Sequence, residues 1–441
     1  MKNSYKEAIK YIYNLNKYGI KLGLKNITCL LSLFDNPHLK VNIIHVAGTN
    51  GKGSASAITH SILQNAGFKV GLYTSPHLVS FQERMVINGE YITPEEVCSL
   101  LDRLKPAINK VAHTRGCQHP TFFEVITTMA FLYFYEKKVD FAVMEVGLGG
   151  RMDATNVSQP LVSVITHIDF DHMDRLGNTL AEIAGEKGAI IKQNTPVVSA
   201  DQFPEAQEVI KKIAREKKSP LYTYGEEFNT TLISSQLKGN YFNYGGIYNK
   251  INNLYVPLAG EFQLENTSLA IAATELLNDK GFLVTEDDII RGVNNSRWPG
   301  RFEIISEKPL VILDGAHNPN GAKQFILNLK KLVPDKKIIA VLGVFQDKDY
   351  MAILKTIVPH VNQVILTMAD NPRATPIKIL AEEVKNYIDD VNIFETRKVS
   401  AAIKKAFQIA RQDDVICITG SLYTVGEAKT YFLEEKNLKK G

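Results

Sequence analysis

Cysteine is scarce in this chain. Cys29, Cys98, Cys117 and Cys417 are the four in 441 residues, far apart in sequence and without a Cys-x-x-Cys pair. That spacing excludes a disulfide framework or a thiolate zinc cluster and suits a reducing compartment. Long apolar runs are missing too. None approaches the ~20 residues of a membrane span, and no apolar core follows Met1, so no membrane association is expected and a cytoplasmic location is. Excess charge of one sign is absent: 51 Lys and Arg stand against 47 Asp and Glu, a formal net charge of +4. So small a balance gives no reason to expect nucleic acid as a partner. No Gly-x-Gly-x-x-Gly follows the first predicted strand, which weighs against a dinucleotide-dependent oxidoreductase. What remains, at 45% hydrophobic and 22% charged residues, is the composition of a globular enzyme long enough for two domains.

The most informative stretch is residues 41–67. Residues 41–47 are a short β-branched apolar run, the pattern of a buried parallel strand. Gly48, Thr49, Asn50, Gly51, Lys52, Gly53 and Ser54 make a glycine-punctuated turn, after which Ala57, Ile58, Ile62 and Leu63 recur at helical spacing. Strand, glycine turn and helix together predict a phosphate-binding loop. Glycines let the backbone approach the phosphates, successive N–H groups converge on an anion, and the helix N-terminus adds its positive dipole end. Lys52 supplies a cation for the terminal phosphates and Ser54 a hydroxyl for magnesium. The spacing departs from the common phosphate-loop pattern: Val46 stands where its first glycine belongs, and Gly53 separates the lysine from the hydroxyl. A tight strand–helix turn with an incidental lysine is the alternative.

Further strands at 69–74, 139–146 and 161–166 alternate with helices that start at cap signals such as Thr93 with Glu96 and Thr179 with Glu182. The alternation predicts an α/β fold whose first domain, residues 1–296, holds a mostly parallel sheet covered on both faces. Residues 222–258, rich in Tyr, Asn and Gly, read as hairpins at a sheet edge. A break at 296–300 precedes strands at 310–313, 338–342, 364–367 and 415–419, predicting a smaller Rossmann-like domain over 297–441. In such sheets ligands collect at the carboxyl ends of strands. Those ends carry Lys52 with Ser54, then Ser75, Glu145 and His172, a set of hydroxyl, carboxylate and imidazole that suits magnesium around a triphosphate. The alternatives are a capping serine, a Glu145–Arg151 ion pair and a hydrogen-bonded histidine.

Residues 45–54 (HVAGTNGKGS), 74–78 (TSPHL), 145–156 (EVGLGGRMDATN), Asp171-His172, Glu186-Lys187, residues 299–301 (PGR), 313–319 (LDGAHNP) and 419–423 (TGSLY) resemble the signatures of folylpolyglutamate synthases. That family includes bifunctional dihydrofolate synthases and belongs to the Mur ligase superfamily. The resemblance implies a monomeric ATP-dependent amide ligase. ATP phosphorylates the γ-carboxylate of a folate glutamate, L-glutamate attacks the acyl phosphate, and ADP and phosphate leave; whether dihydropteroate is also an acceptor stays open. It implies that the loop from Gly48 to Ser54 holds the phosphates, with Lys52 catalytic. Ser54, Ser75 and Glu145 would ligate a first magnesium, and His172 with a carbamylated Lys187 a second. Asn266, Arg301 and Asp314 match ATP contacts, Arg84 a folate carboxylate contact, Phe122, Asp153 and Ala154 pterin contacts, and His317 and Ser421 are assigned to L-glutamate. Taken by themselves, Lys187 reads as a surface helix lysine, Arg301 as a partner of Glu303, His317 as a cap, and Phe122 as core. Another Mur-type ligase, an oxidoreductase and a non-catalytic nucleotide switch are the competing functions.

Overall fold

The structure, a computed structural model, describes residues 4–19 and 23–438. The chain divides into two units, Met1–Thr231 with Asn243–Leu254 and Glu265–Ser296, and Leu232–Phe242 with Tyr255–Leu264 and Arg297–Gly441.

In the first unit, helices α1 (Ser4–Asn14) and α2 (Lys25–Ser32) precede β1 (Asn42–Ala47), α3 (Lys52–Asn65) and β2 (Val70–Tyr73). A hairpin of β3 (Met85–Ile87) and β4 (Glu90–Tyr91) follows, then α4 (Pro94–Ala112), α5 (Phe122–Glu136), β5 (Phe141–Glu145) and β6 (Pro160–Ile165). Helices α6 (Met173–Leu176) and α7 (Leu180–Gly188), β7 (Val197–Ser199), α8 (Pro204–Glu216) and β8 (Leu221–Thr223) complete an eight-stranded sheet of order β4-β3-β2-β5-β1-β6-β7-β8. Along the order from β2 to β8 neighbours run parallel, and the β2–β3 and β3–β4 pairings are antiparallel. Every residue of β5, and all of β1 but Asn42, is buried, as a parallel strand covered on both faces requires.

Residues expected to form hairpins at an edge do so differently. Only β8 joins the large sheet, as its last strand, while β9 (Asn229–Gln236), β10 (Gly239–Gly245) and β11 (Lys250–Val256) make a separate three-stranded sheet. Next come α9 (Phe262–Glu275) and α10 (Glu286–Asn295). Helix α10 lies on α3, where Ser61 Oγ donates to the Gly292 carbonyl at 2.7 Å and any Cβ on Gly292 would strike the Ile62 backbone.

The second unit holds β12 (Glu303–Glu307), β13 (Leu310–Leu313), α11 (Pro319–Leu332), β14 (Ile338–Leu342), α12 (Tyr350–Ile357) and β15 (Gln363–Leu366). It continues with α13 (Ile377–Val384), β16 (Ile393–Glu395), α14 (Val399–Ile409), β17 (Val415–Thr419) and α15 (Leu422–Leu438). Its sheet has the order β12-β13-β17-β14-β15-β16, parallel except at β12. Both units are therefore α/β, with mostly parallel sheets.

Helix starts follow side-chain chemistry. Thr93 with Glu96, Thr121 with Glu124, Thr179 with Glu182 and Thr285 with Asp288 each close a reciprocal capping box at the first turn of α4, α5, α7 and α10. Such a cap is worth about 1 kcal/mol and fixes where the helix begins. Helix α5 is buried all round from Glu124 to Phe134 and forms the centre of a core with α1, α2 and α4.

Candidate active site

Strands β2, β5, β1 and β6 are consecutive in the sheet and parallel, so their carboxyl ends share one edge. The turn after β1 is held to that edge by backbone. Thr49 and Asn50 donate their N–H groups to the His167 carbonyl at 2.9 and 3.2 Å, and Thr49 Oγ1 both donates to Asp169 O at 2.9 Å and accepts from Asp169 N at 3.0 Å. Gly48, at φ +150°, and Gly51, at φ +92°, leave no room for a Cβ, which would meet Thr166 and the Asn266 amide respectively. The first intrahelical bond of α3 runs from Ala55 N to Gly51 O at 2.9 Å, so the N–H groups of its first turn, around Gly53 and the buried Ser54, lie at the open helix end. Asn266 of α9 thus sits directly on the loop.

Two lysines converge there. Lys52 Nζ reaches back to the carbonyls of Gly48 and Thr49, at 3.0 Å each, and Lys187 Nζ donates to the same Gly48 carbonyl at 2.8 Å. Lys187 is only 4% exposed. This corrects the reading of a surface lysine: Lys187 follows Leu180, Ile183 and Ala184 on the buried face of α7. Gly150 packs so closely on α7 that a Cβ would strike the Glu186 carbonyl, and Arg151 N donates to that carbonyl at 2.8 Å. The turn after β5 thus packs directly on α7 beside Lys187.

Glu145 is buried at the end of β5 and accepts the Ser75 N–H at 2.9 Å, bringing the ends of β2 and β5 together. Arg151, its alternative partner, donates its Nε–H to Glu186 at 3.0 Å. His172 lies beyond β6 in a left-handed conformation, φ 50°, ahead of α6; its N–H donates to Asp171 Oδ1 at 2.9 Å. Among the described residues no group of three or more His, Cys, Asp and Glu side chains is arranged for a metal. The set named from sequence has one carboxylate and one imidazole beside hydroxyls and an amine, so it does not make such a group.

Asp153 and Ala154 are buried, and the Asp153 carboxylate serves its own loop. It accepts from Gly147 N, Leu148 N and Thr155 N at 2.9–3.0 Å and from Thr155 Oγ1 at 2.6 Å. Burial nonetheless pushes its carboxyl up, against the pull of these bonds. Thr155 Oγ1 in turn accepts from His45 Nε2 at 2.8 Å, and burial drives the His45 imidazole down to about 3.

Arg84 and Phe122 come together with two residues that carried no assigned role, Tyr13 and His77. The Arg84 guanidinium lies 5.5 Å over the Phe122 ring, which stacks on Tyr13 at 5.7 Å with an interplanar angle of 7°. Arg84 Nε donates to His77 Nδ1 at 2.8 Å, and His77 Nε2 meets the Tyr13 hydroxyl at 3.2 Å. The four side chains form a closed ring around a buried guanidinium. His77 stood in the quoted motif, whereas Tyr13, on α1, stood in none.

In the second unit Arg301 and Asp314 are neighbours at the carboxyl end of β13. Asp314 accepts from Phe302 N at 2.9 Å and Ala316 N at 2.8 Å; burial raises its carboxyl while the Arg301 charge pulls it back. Arg301 Nη1 donates to the Gly315 carbonyl at 3.3 Å, and Glu303, its suggested partner, binds Lys429 at 2.7 Å instead. His317 Nδ1 also donates to the Gly315 carbonyl, at 2.8 Å. Ser421 is a cap: its buried hydroxyl accepts the Thr424 N–H at 3.1 Å at the start of α15.

No helix among the described residues is long and apolar enough to cross a membrane. The Mur ligase middle domain matches residues 46–274, and the Mur ligase glutamate ligase domain matches residues 300–422. The dihydrofolate synthase/folylpolyglutamate synthase of Bacillus subtilis is 36% identical across 97% of this chain and 99% of its own length. Crystallised folylpolyglutamate synthase from Thermotoga maritima has a TM-score of 0.86 at 36% identity, covering 98% of this chain and 97% of that one. The Mycobacterium tuberculosis folylpolyglutamate synthase complexed with ADP has a TM-score of 0.90 at 31% identity, covering 97% and 99%. Domain matches and full-length likeness agree, and the chain belongs to the folylpolyglutamate synthase/dihydrofolate synthase family of Mur ligases.

Proposed function

We propose that the chain couples L-glutamate to the γ-carboxylate of a reduced folate, consuming ATP through an acyl phosphate and releasing ADP and phosphate. The observation that carries this reading is the meeting of Lys52 and Lys187 on the Gly48 carbonyl, beside the Ser75–Glu145 contact on the same sheet edge. A glycine loop with two lysines is built for the end of a polyphosphate rather than for a nicotinamide dinucleotide.

The residues have divided tasks. Backbone N–H groups of the loop and of the first turn of α3 hold the phosphates, and Lys52 turns from its loop carbonyls to the transferred group. Phosphoryl transfer asks mainly for positioning and charge neutralisation. Magnesium, when bound, neutralises phosphate charge and fixes the in-line geometry. The oxygen donors Ser54, Ser75 and Glu145 would suit a hard cation and we assign them to one ion; to a second we assign His172, a nitrogen donor, with a carbamylated Lys187 that would add oxygens. The carbamate fits the chemistry of the pocket. Two ammonium groups on one carbonyl oxygen repel each other, whereas a carbamate reverses one charge and still keeps an N–H for Gly48.

Arg84 is assigned to a carboxylate of the acceptor, with Phe122 beside it. Asp153 acts through its loop, setting the backbone around Ala154. In the second unit we assign Arg301 and Asp314 to nucleotide contacts, on the family pattern, and His317 and Ser421, from their place at strand ends, to L-glutamate; the Ser421 hydroxyl also accepts the Thr424 N–H. The test is ADP release by the purified chain with magnesium, L-glutamate and either tetrahydrofolate or dihydropteroate. Release that requires both L-glutamate and tetrahydrofolate supports the proposal, and release with dihydropteroate adds the dihydrofolate synthase activity. ADP release independent of any pterin acceptor overturns it in favour of another Mur-type ligase.

A further inference from the structure

The four cysteines are not equivalent in three dimensions. Cys417 is fully buried in β17, and burial pushes its thiol up, out of reach of oxidants. Cys98 is half-buried on α4. Cys29 on α2 and Cys117 in the connection from α4 to α5 face each other with Sγ atoms 2.7 Å apart, although 88 positions separate them in sequence. Both are half-buried, so a small oxidant can reach them. The segments that carry them are joined beside the pair: Gln118 N, one residue after Cys117, donates at 2.9 Å to Asn26 Oδ1, three residues before Cys29. The two sulfurs are thus held near bonding distance, about 2.05 Å, by a contact that does not depend on the sulfurs themselves.

We propose that Cys29 and Cys117 are a reversible disulfide site, oxidised by peroxide and reduced by dithiols. One thiolate sulfur attacks the peroxide, the O–O bond breaks, and the sulfur carries OH as a sulfenic acid, while the expelled hydroxide takes up the proton that the thiol released and leaves as the first water. The second thiolate attacks that sulfur, the S–S bond forms, and the expelled hydroxide takes up a proton as the second water. Two thiols and one hydrogen peroxide give one disulfide and two waters; two electrons pass from sulfur to oxygen. The bond staples α2 to the segment that runs through Thr121 into Phe122. It closes a long loop, which restricts the unfolded chain most strongly.

The test uses the full chain, reduced and then treated with one equivalent of hydrogen peroxide. Free thiols are expected to fall from four to two per chain. Peptide mapping is expected to join the Cys29 and Cys117 peptides with the loss of two hydrogens. Thermal unfolding is expected to shift upward, and dithiothreitol to reverse all three changes. The same treatment of Cys98→Ser should still form the link, and that of Cys117→Ser should not. Four persisting thiols, a bridge involving Cys98, or a sulfinic acid at either residue with no crosslink overturns the proposal, and none of these readouts needs the variants to fold.

Discussion

Arg84 donates its Nε–H to Nδ1 of His77 at 2.8 Å, a bond that requires the imidazole to be neutral and to carry its proton on Nε2. Burial first, and the guanidinium second, hold His77 in that form, with its pKa down at about 3. His77 therefore points Arg84 without competing for its charge, and the Tyr13 hydroxyl anchors the other ring nitrogen.

If Arg84 meets a carboxylate of the acceptor, Arg84→Ala should raise the acceptor KM by about ten- to a hundredfold, the size of a lost charge-assisted bond of ~1.5–3 kcal/mol. The KM for ATP should not move. His77→Leu should give a smaller rise of the same kind, and His77→Asn, which restores an acceptor near Nδ1, should recover part of it. Steady-state kinetics with acceptor and ATP varied separately measure this. Equal changes in both constants would show that the ring of side chains supports the fold rather than the acceptor.

The burial of Lys187 against Gly48 leads to a second expectation. Lys187→Ala should lower kcat by about 10²–10³, as for loss of one preorganised electrostatic group. Acetate or formate should restore part of the activity by supplying oxygen ligands to the vacated space. A fully active variant would remove both the carbamate and the catalytic role.

Glu145→Gln separates charge from shape. The amide oxygen still accepts from Ser75 N, so the bond between the ends of β2 and β5 survives while the negative charge is lost. The magnesium concentration for half-maximal turnover should rise at least tenfold, with stability changed by no more than about 1 kcal/mol. A collapse of the thermal midpoint with unchanged magnesium dependence would make Glu145 a structural residue.

Much of this site was legible because backbone geometry selects residue types. Gly48 and Gly51 stand where positive φ and close neighbours admit nothing else, and a strand must precede such a turn and a helix follow it. The β3–β4 hairpin was missed: Asn88 and Gly89, at φ 48° and 84°, are the residues a two-residue turn demands, but its strands of three and two residues are too short to show periodicity. Strand β16, of three residues, was hidden for the same reason. The depth of Lys187 was not read, although its spacing carried it: Lys187 follows Leu180, Ile183 and Ala184 at seven, four and three residues, on the buried face of α7. Nor was the pairing of Cys29 with Cys117, or of Tyr13 with His77, because nothing local links residues so far apart; the folded core brings them together.

Acid sensitivity follows from the buried histidines of the first unit. Burial lowers His45 and His77 from 6.5 to about 3, and His38 and His60 to about 4. A lowered folded pKa means that the unfolded chain binds protons the folded chain refuses. Their contribution is thus fully present above pH 6.5 and lost as pH falls through the interval toward 4 and 3. Each such histidine steepens the loss by about 1.4 kcal/mol per pH unit. His45 is the cleanest probe, because its Nδ1 is buried without a partner and its Nε2 bond to Thr155 involves no ionised group. In urea unfolding between pH 4 and pH 6, His45→Gln should be less stable than the wild type at the upper end but lose stability less steeply, by close to one proton. Parallel slopes in the two proteins would show that His45 takes up its proton in the folded state, and would refute the claim that this imidazole stays neutral in the core.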